Sequence, residues 1–154
     1  MRHMPLPALV LGIAGLIPFW YCAAAIWLPG LRPGFYSSFD MAFALIGYGA
    51  VILAFLGAMH WGAILRGSTA ESGDDATWTR LGFSVAPSIV AWVATLMNPL
   101  YGLVMLIIAH GVVAIADIQT ARRGEFPVWY GRLRRYLSVL AILAMATGLM
   151  GLRI

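Results

Sequence analysis

The chain has 154 residues, of which 62% are hydrophobic and only 10% are charged, and its mean hydropathy is +0.87. Soluble domains carry about 25% charged residues, so the composition excludes a soluble globular protein. All ten basic residues are arginines, and the formal net charge is +4. Because the arginines flank apolar stretches, we expect them to meet anionic phospholipid head groups and no nucleic acid. The single cysteine excludes an internal disulfide.

Five apolar stretches follow one another along the chain. Each is roughly 17 to 25 residues long, which is the length that an α-helix needs to cross about 30 Å of hydrocarbon. We therefore predict an all-α integral membrane bundle of five transmembrane helices in a single domain, residues 1–154. The predicted spans are residues 5–28, 41–65, 81–97, 100–118 and 136–152.

The segments between the spans have the composition of turns and loops. Residues 67–79 are the most polar part of the chain, and we predict an exposed loop there. Asn98 and Pro99 predict a very tight turn, so the third and fourth spans should form an antiparallel hairpin. We expect the first span to be retained rather than cleaved as a signal peptide, because bulky Trp20 and Tyr21 surround the position where cleavage requires small residues.

The arginines predict the orientation in the membrane. With five spans, eight arginines fall on the side of the N-terminus: Arg2, Arg66, Arg80, Arg122, Arg123, Arg132, Arg134 and Arg135. The other side holds Arg32 and Arg153 alone. Since cytoplasmic loops carry the excess of arginine and lysine, the N-terminus is predicted to be cytoplasmic and the C-terminus periplasmic.

Small residues predict which helix lies at the centre of the bundle. Helices in lipid associate where small side chains let their backbones approach closely. The second span carries Ala50, Ala54, Ala58 and Gly62 at a four-residue interval, and Gly57 lies in the neighbouring row on the helix surface. We therefore expect the second span to be the central helix.

Three ionisable residues lie inside the predicted spans, where such side chains are costly and functional by default. They are His60, His110 and Asp117. Similar depths predict a His60–Asp117 hydrogen bond. In a purely structural interpretation, the histidines donate to carbonyl groups and Asp117 meets a nearby arginine. In a functional one, His60 and Asp117 are the hydrogen-bonding groups of a quinone or proton site, with Trp61 as a flat wall.

Haem b held by the two histidines is disfavoured, because their depths differ by several ångströms, and no metal site is expected. A further set of residues surrounds the start of the fifth span. It consists of Arg122, Arg123, Trp129, Tyr130, Arg132, Arg134 and Arg135. We interpret it first as a lipid and topology anchor, and alternatively as a docking surface for an acidic partner, since arginine and aromatic residues carry much interface energy.

Three segments resemble one family. They are residues 11–19 (LGIAGLIPF), 48–62 (YGAVILAFLGAMHWG) and 127–134 (PVWYGRLR), in the order that the family has them. The chain thus resembles the domain-of-unknown-function 3429 family, with Ala54 and Ala58 where we expect serine and glycine. The resemblance implies a bacterial inner membrane or its mitochondrial descendant. It brings no catalytic residues.

Two functional classes follow from these features. Sparse internal polarity and close-packing faces favour a non-catalytic accessory or assembly subunit of a respiratory or photosynthetic membrane complex. The alternative is a small-solute or proton transporter, or a quinone-binding protein with a site near His60 and Asp117. No inverted repeat or midplane polar cluster of the kind typical of transporters is visible, and no nucleophile, phosphate loop or metal-ligand cluster predicts an enzyme.

Overall fold

A computed structural model describes residues 4–65 and 74–152 of the chain. Within these residues the fold is entirely helical, and no strand is present. Its α-helices are α1 (Leu6–Ala14), α2 (Ile17–Trp27), α3 (Ser38–Leu65), α4 (Asp74–Thr95), α5 (Pro99–Arg122) and α6 (Val128–Gly151), with a 3-10 turn at Pro29–Leu31. The predicted all-α class is confirmed.

Within the described residues, four helical segments are long and apolar enough to cross a membrane: Leu6–Trp27, Ser38–Ile64, Pro99–Arg122 and Val128–Gly151. They overlap four of the five predicted spans. The remaining span, residues 81–97, overlaps α4, which is not among these four segments. Four apolar membrane helices are therefore supported, rather than the five that were predicted.

The first predicted span, residues 5–28, is not one continuous helix. It breaks at Gly15 and Leu16 into α1 and α2, just before Pro18, whose ring nitrogen has no hydrogen to donate. The side chain of Tyr48 provides a hydrogen-bond donor at this break, since its hydroxyl donates to the carbonyl of Gly15 at 2.9 Å. The ring of Tyr48 also packs edge-on against Phe19, with 5.0 Å between centroids.

Other boundaries also differ from the predictions. The predicted span at 136–152 begins eight residues earlier, at Val128, and the arginines of this added segment lie on both an exposed and a buried helix face. The span at 100–118 continues to Arg122. Of the predicted loop 67–79, residues 74–79 are helical, and residues 67–73 lie outside the described part of the chain.

Helix α3 is the central helix, as the small residues predicted, and it contacts α2, α4, α5 and α6. Its start is fixed by reciprocal capping: the backbone N–H of Ser37 donates to Asp40, while the Ser37 hydroxyl accepts from the Asp40 N–H. A Cβ at Gly57 would meet the backbone carbonyl of Ser84 and the ring of Pro87, so only glycine permits α4 to lie this close to α3.

The other small residues of α3 have different surroundings. Ala50 is buried and Ala54 is half-buried, whereas Ala58 and Gly62 are exposed, and nothing lies within 4 Å of a Cβ built at Gly62. The close approach is thus confined to the part of α3 around Gly57. The turn between α4 and α5 forms as predicted, with Asn98 capping α5 by accepting from the N–H of Leu100.

Candidate functional site

A single buried carboxylate joins three helices. Asp117 on α5 is fully buried, and its Oδ1 lies 2.7 Å from Nε2 of His60 on α3. Its Oδ2 accepts from Nε of Arg134 on α6 at 2.6 Å. The predicted His60–Asp117 hydrogen bond is present, and Arg134 is the arginine that Asp117 meets. Two basic side chains thus share one carboxylate, which stabilises its charge away from water.

Tyr130 completes the network from the first turn of α6. Its hydroxyl is 3.4 Å from Oδ2 of Asp117 and 3.3 Å from the sulfur of Met59. Arg134 is only 6% exposed. It therefore points into the bundle, towards Asp117, and away from the lipid or partner surface on which the sequence analysis placed it.

The turn between α5 and α6 brings these residues together. Gly124 ends α5 with a φ of +82°, a backbone conformation that favours glycine, and its N–H donates to Ala121. The next N–H, of Glu125, donates to Thr120, which completes a Schellman motif. Helices α5 and α6 then pack closely, since a Cβ at Gly131 would stand 2.9 Å from that of Ala121. This contact sets Arg134 beside Asp117.

Aromatic rings hold the His60 ring from two sides. Phe83 on α4 and Phe126 in the α5–α6 turn both meet it edge-on, with centroids 5.4 Å and 5.5 Å away. The ring is 12% exposed. Trp61, predicted as the flat wall of this site, is 40% exposed and is absent from the lining of the adjacent pocket. The rings that surround His60 are therefore those of Phe83 and Phe126, and sequence reasoning missed both. Their position beside His60 depends on how α4 and the α5–α6 turn pack.

A pocket of about 250 Å³ opens beside His60, between α3, α4 and α5. Its lining is mixed in character. His60, Phe83, Gln119 and Arg123 contribute to it, together with an ion pair between Arg80 and Glu125. Glu125 is the one acidic residue in the basic segment 122–135. Its position among arginines was the feature of the sequence that indicated an ion pair with a basic side chain.

His110 lies apart from this pocket. It is fully buried, its Nδ1 bonds to the carbonyl of Leu106 one turn earlier at 2.9 Å, and Phe19 meets its ring edge-on. Bonding to a backbone carbonyl is what the structural interpretation predicted for this histidine. Its Nε2 is buried and unbonded among the described residues, as is Nη2 of Arg134. The structure therefore brings His60 and Asp117 together in one hydrogen-bonded network without His110, and His60 is the one of the three that lines the pocket.

The arginines near the start of α6 face different environments. Arg122, Arg123, Arg132 and Arg135 are exposed, and Trp129 and Tyr130 are half-buried. Arg123 lines the pocket, while Trp129 packs edge-on against Tyr130. In the described part of the chain, no group of three histidine, cysteine or acidic residues is arranged to hold a metal ion.

Apolar helices of membrane-spanning length, joined by a buried ionic network, define an integral membrane helical bundle. The chain belongs to the family described as protein of unknown function (DUF3429), whose model matches residues 4–150. This confirms the resemblance that the three sequence segments indicated.

Two curated relatives carry the name Transmembrane protein 69. The one from Xenopus tropicalis is 34% identical over 151 residues, which covers 97% of this chain and 56% of the relative. The one from Mus musculus is 30% identical over 149 residues, covering 94% of this chain and 56% of the relative. The chain thus spans just over half the length of these relatives. No solved structure matches it.

Proposed function

We propose that the protein binds the head group of a membrane quinol or quinone in the pocket beside His60. The observation that carries this proposal is the orientation of one ring. Nε2 of His60 is held by Asp117 at 2.7 Å, while the ring lines a pocket of about 250 Å³. This volume is below the roughly 300 Å³ at which sites for drug-sized ligands begin, so the pocket suits a smaller group such as a single substituted ring.

The tautomer of His60 determines what the pocket recognises. A carboxylate at Nε2 places the ring proton there and leaves Nδ1 as an acceptor. Asp117 is also paired with Arg134. In this proposal, Nδ1 of His60 accepts a hydrogen bond from a ligand hydroxyl. A quinol has such a hydroxyl, and the same ring in its quinone form has carbonyl oxygens at both ends.

The opposite wall of the pocket supplies donors. The Gln119 amide and the Arg123 guanidinium both line it, and both side chains are exposed. They suit the second oxygen of the ring, which accepts in either redox state. The ring of Phe83 adds an apolar wall to the pocket, and Phe126 packs against the His60 ring. One acceptor, several donors and an aromatic rim match a hydroxylated or carbonyl-bearing ring.

Binding of a tail-less quinol, 2,3-dimethoxy-5-methylhydroquinone, to the purified protein in mild detergent tests this proposal. A hydrogen bond is worth about 0.5–1.5 kcal/mol, or about 1.5–3 kcal/mol with a charged partner. His60→Gln should therefore weaken binding about 3- to 10-fold, and Arg123→Gln about 10- to 100-fold. Arg132→Gln removes an equally charged, exposed residue outside the pocket and should leave the Kd unchanged. Equal affinity in all four proteins would overturn the proposal.

A role as an accessory or assembly subunit is the second function that we propose, and the two are compatible. It is favoured by the exposed arginines Arg122, Arg132 and Arg135 beside half-buried Trp129, which together offer a surface for lipid head groups or an acidic partner subunit. Comigration on a native gel with a respiratory or photosynthetic complex from a bacterial inner membrane supports this role. Migration alone contradicts it.

Transport has less support than binding. Both oxygens of Asp117 are engaged. Beyond His110, the described interior is apolar around Phe19, Ile46 and Leu103, which does not suit a proton or solute path. A conductance in liposomes that disappears in His110→Ala would reverse this preference.

The topology that we propose keeps a cytoplasmic N-terminus and a fifth crossing by α4. Ala94 of α4 meets Gly102 at the start of α5, and Arg80 of α4 pairs with Glu125 beyond the end of α5. These contacts support a helix α4 that runs the full length of α5. Labelling of single cysteines placed at Arg32 and at Arg122 from each side of sealed vesicles tests the orientation: the label should reach Arg122 from the cytoplasmic side alone.

A further inference from the structure

A second cavity adjoins the polar pocket. It is a groove of about 500 Å³ between α4 and α5, lined almost wholly by apolar side chains. Phe83 lines both the groove and the polar pocket. The two spaces therefore share this ring as a wall, with the polar pocket beside His60 on the one hand and the apolar groove along the bundle surface on the other.

We propose that the groove holds the prenyl tail of the quinol whose ring lies beside His60, and that the ligand enters sideways from the bilayer between α4 and α5. This inference rests on the proposed head-group site. The groove opens on the surface where α4 and α5 face lipid, since Ile108 and Val112 are 61% and 53% exposed. A ligand dissolved in the membrane thus needs no passage through water.

Packing explains why the groove exists. Helices α4 and α5 touch beside their connecting turn, where a Cβ at Gly102 would lie 2.6 Å from the Ala94 carbonyl oxygen. Further along, small residues face the space between the helices, among them Ala86 and Ala109. From Tyr101 to Val113 the groove follows α5 for about 18 Å at 1.5 Å per residue, which is long enough for one chain of a few isoprene units.

The number of tails distinguishes a prenyl quinol from a phospholipid. The polar pocket carries Arg80 and Arg123 as well as Glu125, so its charge suits a phosphate as well as a neutral ring. A phospholipid carries two acyl chains, whereas we assign one chain to the groove of about 500 Å³ that shares Phe83 with the pocket. The single tail of a prenyl quinol suits this groove.

A matched pair of valines tests the groove. Val112 lines it and is 53% exposed, while Val139 on α6 is 52% exposed and lies outside it. Val112→Trp should fill the groove, and Val139→Trp should place the same ring in lipid elsewhere. Binding of the tail-less quinol and of the same ring with a tail of a few isoprene units is measured for both variants and for the unaltered protein.

The expected result separates the tail from the ring. The prenylated quinol should bind the unaltered protein and Val139→Trp about 10-fold more tightly than it binds Val112→Trp, because the tryptophan ring at position 112 would occupy the space that the tail needs. The tail-less quinol should bind all three equally. Equal binding of the prenylated quinol to both tryptophan variants would overturn the inference.

The same data distinguish failure of the ring site from failure of the groove. Suppose that binding of the tail-less quinol depends on His60, while Val112→Trp does not weaken binding of the prenylated quinol. The ring site is then supported and the groove proposal is wrong. If the prenylated ligand depends on Val112 while His60→Gln has no effect, the groove holds a tail and the ring assignment is wrong. If neither ligand binds, both proposals fail.

Discussion

Replacement of Asp117 by leucine is the sharpest test of the buried network. The carboxylate is fully buried and accepts from His60 at 2.7 Å and from Arg134 at 2.6 Å. Removing one partner of a buried ion pair costs about 3–5 kcal/mol, because the other charge remains buried without compensation. Arg134 is only 6% exposed and already has an unbonded Nη2, so it has no ready route to water.

This cost translates into a measurable loss of thermal stability. For a chain of this size, 1 kcal/mol shifts the Tm by about 2–4 °C, so Asp117→Leu should lower the Tm by about 6–20 °C. The assay is the fraction of monodisperse protein that remains after heating in mild detergent. Arg134→Met should also be destabilising, whereas Arg132→Met, an exposed arginine one half-turn earlier, should change the Tm by less than about 2 °C.

The double variant Asp117→Leu/Arg134→Met decides whether the charges are coupled. Replacing both members of a buried ion pair with apolar residues is often nearly neutral. The double variant should therefore be more stable than Asp117→Leu alone, even though it carries one more substitution. Destabilisation equal to the sum of the two single variants would show that the residues do not act as a pair and would refute the account of the network.

Two further predictions concern packing and capping. Gly57→Ala should destabilise the fold by about 1–3 kcal/mol, because the added methyl group meets the Ser84 carbonyl. Gly62→Ala, with open space around its Cβ, should be neutral or stabilise the helix by up to about 1 kcal/mol. Coinciding melting curves for the two variants would contradict the described α3–α4 contact. Arg32 donates to the carbonyls of Ala25 and Ile26 at the end of α2, at 2.8 Å and 2.7 Å. Arg32→Leu should therefore lower the free energy of unfolding by about 1–2 kcal/mol. A Tm equal to that of the unaltered protein would show that these bonds do not contribute to stability.

Hydropathy predicted the helices well because burial in lipid demands long apolar runs with internally bonded backbones. It located most of α3 and α5, and the small residues identified α3 as the central helix. The depth argument also predicted the His60–Asp117 bond, since two residues near the same ends of neighbouring spans lie at one level. Each of these inferences needs only a position along one helix.

The features that sequence reasoning missed depend on rotation and register between helices. The segment from Trp129 to Arg135 has the composition of a basic loop, yet it is helical, and only the packing of α6 on α5 turns Arg134 inwards. The break at Gly15 was missed because α1 and α2 are equally apolar on both sides of it. The pairing of Phe83 with Phe126 around His60 requires knowledge of the α5–α6 turn, which no periodicity encodes.

The most direct test of the proposed site is photolabelling with a prenyl quinol that carries a diazirine on its ring, followed by mass spectrometry of the labelled peptides. The account predicts labels on α4 near Phe83 and on α5 between Ala116 and Arg123, and it predicts that His60→Gln reduces them strongly. Labels spread over lipid-facing positions such as Val139, equal in the unaltered protein and in the variant, would contradict a quinol site beside His60.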